Sequence, residues 1–465
     1  MNHKYKRLAG DMGLFALGSL GSKLVLFLLL PIYTHVLADS EYGIADLVFT
    51  MGDLILPFVS LAFYNGLLRY GLMEGKHRNA LLCTVIVFLV GSTAAVLLTP
   101  LLGLYPAISD WKWYLCAHII VHFARNSALV YLKVKDKNKA YAILSIVQAL
   151  LLVGFNVLLL IVFRLGIVGY LLSTILSNAI LAILALIIGG MVPDVKEAKF
   201  EKPLFKEMVT YSIPFIFNDV SWGVIHSADK IMIESMINGS MLGLYTAASK
   251  IPALVNAFTA IFSQAWGLAS IKEYDSTNDT KFYTNVFNYF CAAIFGVTIL
   301  LITVIKPFMT IYVGSDFTES WKYVPLLLTG AAFAAVSTFA GNMFGAFKQS
   351  RPIMTSTLIA GAANVAINYL LIPVLGVFGA VIGTVSAYFI VAVIRLFTLM
   401  HKTKIRFNLL KAGLLTLITL CQATLVSLGV QIYLVSAITI ALFLLIVWKD
   451  LIAAFRILKA KLGHR

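Results

Sequence analysis

Six basic side chains, Lys23, Arg69, Arg125, Lys230, Lys250 and Arg395, lie inside stretches otherwise apolar enough to cross a membrane. A cation near the centre of a bilayer costs roughly 2.5 to 3.5 kcal/mol on insertion scales, so it faces protein, water or an ion rather than lipid. The chemistry open to such residues is electrostatic: they can bind a compact, multiply charged anion where the dielectric is low and each charge pulls hard. His118, His122 and Arg125 recur at i, i+4 and i+7 and form one stripe of a helix. The stripe reads as a polar wall that touches an anionic ligand, or as histidines packed against neighbouring helices with Arg125 in a structural ion pair. Two histidines at i and i+4 also suit zinc, but no third ligand lies within sequence reach, so no metal site is expected.

Depth sorts the other cations. Arg69 and Arg395 lie near the cytoplasmic ends of their helices, where a long side chain can snorkel to the headgroups. Lys230 follows Asp229, and since helix neighbours point in different directions, each needs its own partner. Lys23 and Lys250 sit deeper and, with Arg125, are expected to face the substrate path. Asp46 and Asp53, seven residues apart, share a helix face, so one is expected to neutralise Lys23 or to titrate. Asp53, Asp46 and Asp229 are therefore the candidate sites for a coupling ion, H+ or Na+, and no other cofactor is expected. Gln264 and Asn368 are candidate members of a polar wall. The bland reading for these amides, and for Gln148, Asn156 and Asn364, is hydrogen bonding from helix to helix. Paired carboxylates or a nucleophile with its base are missing from the short outer loops, so an enzyme is not expected.

The elements that carry these residues must be membrane helices. Of 465 residues, 60% are hydrophobic and 12% charged, against about 25% charged in an ordinary soluble domain. Mean hydropathy is +0.92. Apolar runs of about 20 residues recur with short polar breaks, which is a helical pattern rather than a barrel pattern. The reading is an all-α polytopic membrane protein with about fourteen transmembrane helices between residues 11 and 448.

The net charge of +15 is placed as a topology signal, not as a nucleic-acid surface. Basic residues crowd alternate loops: Lys133, Lys135, Lys137 and Lys139; Lys196, Lys199, Lys202 and Lys206; Lys402, Lys404, Arg406 and Lys411. On the opposite side fall Lys112, Arg164, Lys306 and Lys322. By the positive-inside rule both termini are cytoplasmic, with the basic loops near anionic lipid. The first apolar run is long and lacks a small-residue cleavage site, so it reads as a retained helix. Cys83, Cys116, Cys291 and Cys421 stand singly, with no disulfide or metal spacing.

Two related halves are visible. Gly166-Ile167-Val168-Gly169 is echoed by Gly376-Val377-Phe378-Gly379, and Tyr42-Gly43 by Leu242-Gly243. Six helices per half make two pseudo-symmetric, parallel repeats, an arrangement that places a substrate cavity between lobes. The expected organisation is a six-helix lobe at 1–191, a cytoplasmic linker at 192–207 and a second lobe at 208–404. Two extra helices follow at 405–448, then a basic amphipathic tail at 449–465 on the inner leaflet.

Several stretches resemble the polysaccharide flippase family, within the superfamily of multidrug and toxin extrusion transporters and lipid II flippases. They are Gly21-Ser22-Lys23 through Pro31-Ile32-Tyr33-Thr34 to Tyr42-Gly43, Lys206 to Pro214, and Ser227-Ala228-Asp229-Lys230. Gly243-Leu244-Tyr245, Gln264-Ala265-Trp266 and the segment Gly166 to Ser177 complete the likeness, which covers about residues 8 to 400. The resemblance implies a V-shaped bundle in the cell membrane that moves an undecaprenyl-diphosphate-linked oligosaccharide to the outer leaflet by alternating access. Membrane lipids, a polysaccharide polymerase and other assembly proteins are the implied partners, with no nucleic acid. Polysaccharide-branch members often have twelve helices; a count of fourteen is nearer the lipid II flippases. A lipid II type flippase and a cation-coupled exporter of small molecules share the fold and stand as alternatives. The basic spans favour the anionic substrate.

Overall fold

In hydrocarbon every backbone N–H and C=O must be satisfied within protein, which an apolar chain achieves by folding each segment as a helix. The computed structural model describes residues 27–276, 280–347, 351–403 and 405–462, and among these it is helical with no strand. Packing divides the chain into a first unit, Met1–Gly243, and a second, Leu244–Arg465.

The first unit contains α1 (Phe27–Val36), α2 (Asp39–Ser60), α3 (Phe63–Gly71), α4 (His77–Leu102), α5 (Lys112–Val134), α6 (Asn138–Asn156), α7 (Gly166–Gly189), the short α8 (Met191–Glu197) and the long α9 (Lys202–Met236). The apolar stretch at 42–72 is divided between two helices, because Leu61 and Ala62 both take the left-handed conformation just after Pro57. A left-handed residue pair ends the helical hydrogen-bond ladder, and proline four residues earlier weakens it. α9 packs on α2 and α3, so the linker expected at 192–207 lies within the first unit and the packing boundary falls later, after Gly243.

α10 (Gly239–Lys250) crosses that boundary, and the second unit continues with α11 (Ala253–Ser276), α12 (Thr280–Tyr312), α13 (Val324–Ala346), α14 (Arg351–Leu375), α15 (Val377–Lys402), α16 (Leu409–Ser427) and α17 (Ile432–Leu462). The helical stretch at 241–270 is interrupted at Ile251 and Pro252, between α10 and α11. Among the described residues ten helical stretches are long and apolar enough to cross a membrane, and Phe27–Val36 and Ile432–Trp448 are shorter apolar helices. α9 falls outside the ten, and so do the two pieces α10 and α11. The outward faces of the spans suit lipid: Leu97, Leu150, Leu370 and Leu445 are each about two-thirds exposed or more.

Glycines set the closest helix contacts. Gly166, the first residue of α7, and Gly376, just before α15, have φ of +55° and +59°, a positive φ at both echoes that favours glycine. Three residues on, a Cβ on Gly169 would lie 2.9 Å from the carbonyl oxygen of Leu159, and one on Gly379 2.4 Å from the carbonyl carbon of Leu371. The repeated sequence thus encodes a repeated turn in which a helix doubles back against the backbone of the one before it. The other echo is a mutual crossing: a Cβ on Gly43 would meet Gly239 at 2.5 Å, and one on Gly243 would meet Asp39 at 1.9 Å.

Candidate functional site

The chemistry foreseen on α5 gathers in the first unit. An aromatic chain runs from Tyr33 to Tyr170 (ring centroids 4.7 Å apart), on to Phe49 (5.6 Å) and from Phe49 to His118 (4.7 Å). It fixes α2 against α5. The approach requires Gly52, since a Cβ there would stand 2.7 Å from the His118 ring. Next to it, Asp53 Oδ1 lies 3.1 Å from His118 Nε2 and 3.0 Å from His122 Nδ1. His118 is buried, His122 largely so, and the Asp53 side chain is 56% exposed. One turn along, the Arg125 guanidinium donates to Gln148 Oε1 at 2.9 Å, and Gln148 Nε2 donates to Asn178 Oδ1 at 2.8 Å. A chain of polar side chains therefore links α2, α5, α6 and α7. Arg125 Nε is buried without a hydrogen-bond partner.

A second network ties α9 to its neighbours. Lys230 Nζ donates to Asp46 Oδ2 at 2.6 Å and to Thr50 Oγ1 at 3.3 Å, with side chains 15% and 8% exposed for the ion pair. Tyr64 Oη donates to Asp219 at 2.5 Å, and Tyr105 Oη donates to Glu234. Asp46 is thus neutralised by Lys230. Lys23, the partner foreseen for Asp46 or Asp53, lies outside the described residues. Asp229 is buried on the same helix.

The remaining expected residues are dispersed. Arg69 is exposed in the last turn of α3. Arg395 does not snorkel: it is 5% exposed. Its guanidinium donates to Ser356 Oγ (3.0 Å), the Ser337 carbonyl (3.0 Å), Thr357 Oγ1 (3.0 Å) and the Ile353 carbonyl (3.4 Å). It joins α13, α14 and α15 instead of facing a substrate path. Asn368 is fully buried, donates to Asn364 Oδ1 at 3.2 Å and presses on Gly383. It is helix-to-helix glue, not an open polar wall. Lys250 is half-buried in the last turn of α10, and the side chain of Gln264 lies outside the described residues. The second unit also holds an apolar cavity of about 530 Å³ among α13, α15 and α16, lined by Phe333, Phe378, Phe389 and Leu420.

At the ends of α4, α5 and α8 a further cluster had no sequence signal beyond its basic loop. Asp194 accepts from Tyr131 Oη at 2.6 Å, Lys135 Nζ at 2.9 Å and Arg78 Nε at 3.2 Å. Arg78 also pairs with Glu197 at 2.6 Å, and Asn79 donates to Glu201 at 2.5 Å. Burial favours the neutral carboxyl of Asp194, but the hydrogen bonds from Tyr131 and Lys135, the Lys135 charge and Arg78 outweigh it and hold its pKa below the usual range.

Residues 8–267, more than half of the chain, match the family described as polysaccharide biosynthesis protein. A protein of the Lsg locus of Haemophilus influenzae is 24% identical over 389 residues, covering 80% of this chain and 94% of its own length. The fold is that of the lipid II flippase MurJ in an inward closed conformation, with a TM-score of 0.70 at 14% identity over 94% of this chain and 99% of that one. An inward-facing multidrug resistance MATE transporter of the MOP superfamily gives 0.62 at 13% identity over 82% and 98%. The motifs of α1 to α11, the ten apolar spans and the matched residues converge: this chain is a multi-pass membrane protein of the polysaccharide biosynthesis protein family.

Proposed function

We propose that this chain is a flippase that carries an undecaprenyl-diphosphate-linked oligosaccharide from the cytoplasmic to the outer leaflet of the cell membrane by alternating access. Its halves act as two six-helix lobes followed by two further helices, fourteen spans in all, with both termini cytoplasmic. The fold is shared with transporters of other cargo, so the substrate is argued from the charge of the site. The observation that carries the reading is Arg125. It is a guanidinium on a membrane span, bonded to the neutral Gln148, with Nε buried and unbonded. At an effective dielectric of 20, a phosphate charge 4 Å away gains about 4 kcal/mol from such a cation. Planar guanidinium also matches phosphate oxygens in pairs.

Arg125 contacts the diphosphate in this scheme, while Lys23 and Lys250 serve the same anion elsewhere on its path. Asp53, Asp46 and Asp229 are the carboxylates by which a coupling ion, H+ or Na+, would be taken up. The polymerase and other assembly proteins receive the product. The test is depletion of this protein alone, followed by localisation of lipid-linked repeat units across the membrane. Accumulation on the cytoplasmic face is expected. Normal delivery to the outer face would refute the assignment.

A further inference from the structure

We propose that Asp53, His118 and His122 form a binding site for one divalent transition-metal ion of the zinc class. His118 and His122 lie four residues apart on α5, so Nε2 of one and Nδ1 of the other meet on a single face. α2 supplies the third donor that sequence spacing could not reveal, with Asp53 Oδ1 at 3.1 and 3.0 Å from the two nitrogens. The three donor atoms all lie within 4.8 Å of one another.

Two imidazoles and a carboxylate select zinc-class ions over magnesium or calcium, which prefer an all-oxygen shell. Zinc bonds to such donors run about 2.0 to 2.2 Å, which puts tetrahedral donors roughly 3.3 Å apart. The oxygen–nitrogen separations therefore need to open by only about 0.3 Å as the shared protons leave. Burial is graded in the way an open metal site requires: His118 is enclosed, His122 nearly so, and the half-exposed Asp53 leaves a coordination position for water or an anion. The frame is rigid. Gly52 lets the His118 ring lie against α2, and Phe49 packs on its face at 4.7 Å. The nearest cation on the helix, Arg125, donates to Gln148 rather than to Asp53. A bound ion would pin α2 to α5 at the level of the polar chain.

The experiment titrates untagged full-length protein, stripped with chelator in detergent micelles, with Zn2+ and separately with Co2+. One ion per chain is expected, and Co2+ should develop the visible absorption of a tetrahedral nitrogen–oxygen site. His122→Ala and Asp53→Asn should weaken binding by at least roughly tenfold, because the loss of even a supporting group around a metal costs 10- to 100-fold. His122→Cys keeps a ligand and should add a thiolate-to-cobalt charge-transfer band, which reports on the site even where the alanine variant folds poorly. Failure to take up one ion at saturating Zn2+ overturns the proposal. So does unchanged affinity in Asp53→Asn, or a cobalt complex of His122→Cys without the thiolate band.

Discussion

Arg125 and Arg395 are the same side chain placed on membrane helices in two units, and their surroundings differ in kind. Arg395 in the second unit is enclosed and donates to four uncharged oxygens on α13 and α14. Its hydrogen-bonding capacity is spent on joining helices. Arg125 in the first unit donates to the amide oxygen of Gln148, keeps an unbonded Nε and stands near a half-exposed carboxylate. A buried cation satisfied by fixed neutral oxygens is structural, whereas one left under-satisfied next to an accessible acid is available to a ligand. The polar chain through Arg125 leads toward the half-exposed Asp53, whereas Gln422 of the second unit is buried and donates to Thr303 and Ser436.

The strongest way to break this contrast is the Lys230–Asp46 pair, which is charged yet enclosed. Lys230→Met should destabilise the first unit by about 3 to 5 kcal/mol, because an uncompensated carboxylate is left inside, and Lys230→Met with Asp46→Leu should recover most of it. Thermal unfolding in detergent checks both. Arg395→Leu comes next. It should cost about 2 to 3 kcal/mol of stability while transport per folded molecule stays near wild type. A transport defect without a stability loss would place Arg395 in the substrate path after all.

The glycine echoes sharpen the comparison at smaller amplitude. Gly379→Ala should cost more than Gly169→Ala, both within about 1 to 3 kcal/mol, because its Cβ would press on backbone at 2.4 Å rather than 2.9 Å. Equal costs would mean that the two turns relax alike.

Much of this architecture was legible in the sequence because hydrocarbon imposes local rules. Helix class, the apolar spans, the repeated GxxG turns and the stripe His118–His122–Arg125 all follow from residue type and short spacing. Partners across helices do not. Nothing near Asp46 announces Lys230, 184 residues away, and nothing near His122 announces Asp53, so pairing and the third metal donor were hidden. Depth along a helix also misled for Arg395: nearness to a helix end suggested snorkelling, but the small residues Ser356, Thr357 and Gly341 leave room for its guanidinium inside.

The smallest expected effect is electrostatic. Asp194 ordinarily titrates near 3.8, and its pKa in the folded protein is lower. It therefore contributes stability that is present above about pH 4 and lost as pH falls through the folded value. Wild type should exceed Asp194→Asn in melting temperature near neutrality, with the gap closing in acid. A gap that persists in acid would show that the Tyr131 and Arg78 contacts do not need the charge.

The central claim is that anion binding resides with Arg125. The direct measurement is translocation of an undecaprenyl-diphosphate-linked oligosaccharide in proteoliposomes, comparing wild type with Arg125→Ala at matched amounts of folded protein. Arg125→Ala is expected to lower the rate at least about tenfold, the worth of one charge-assisted hydrogen bond, with little change in melting temperature. Transport at the wild-type rate by folded Arg125→Ala would contradict it.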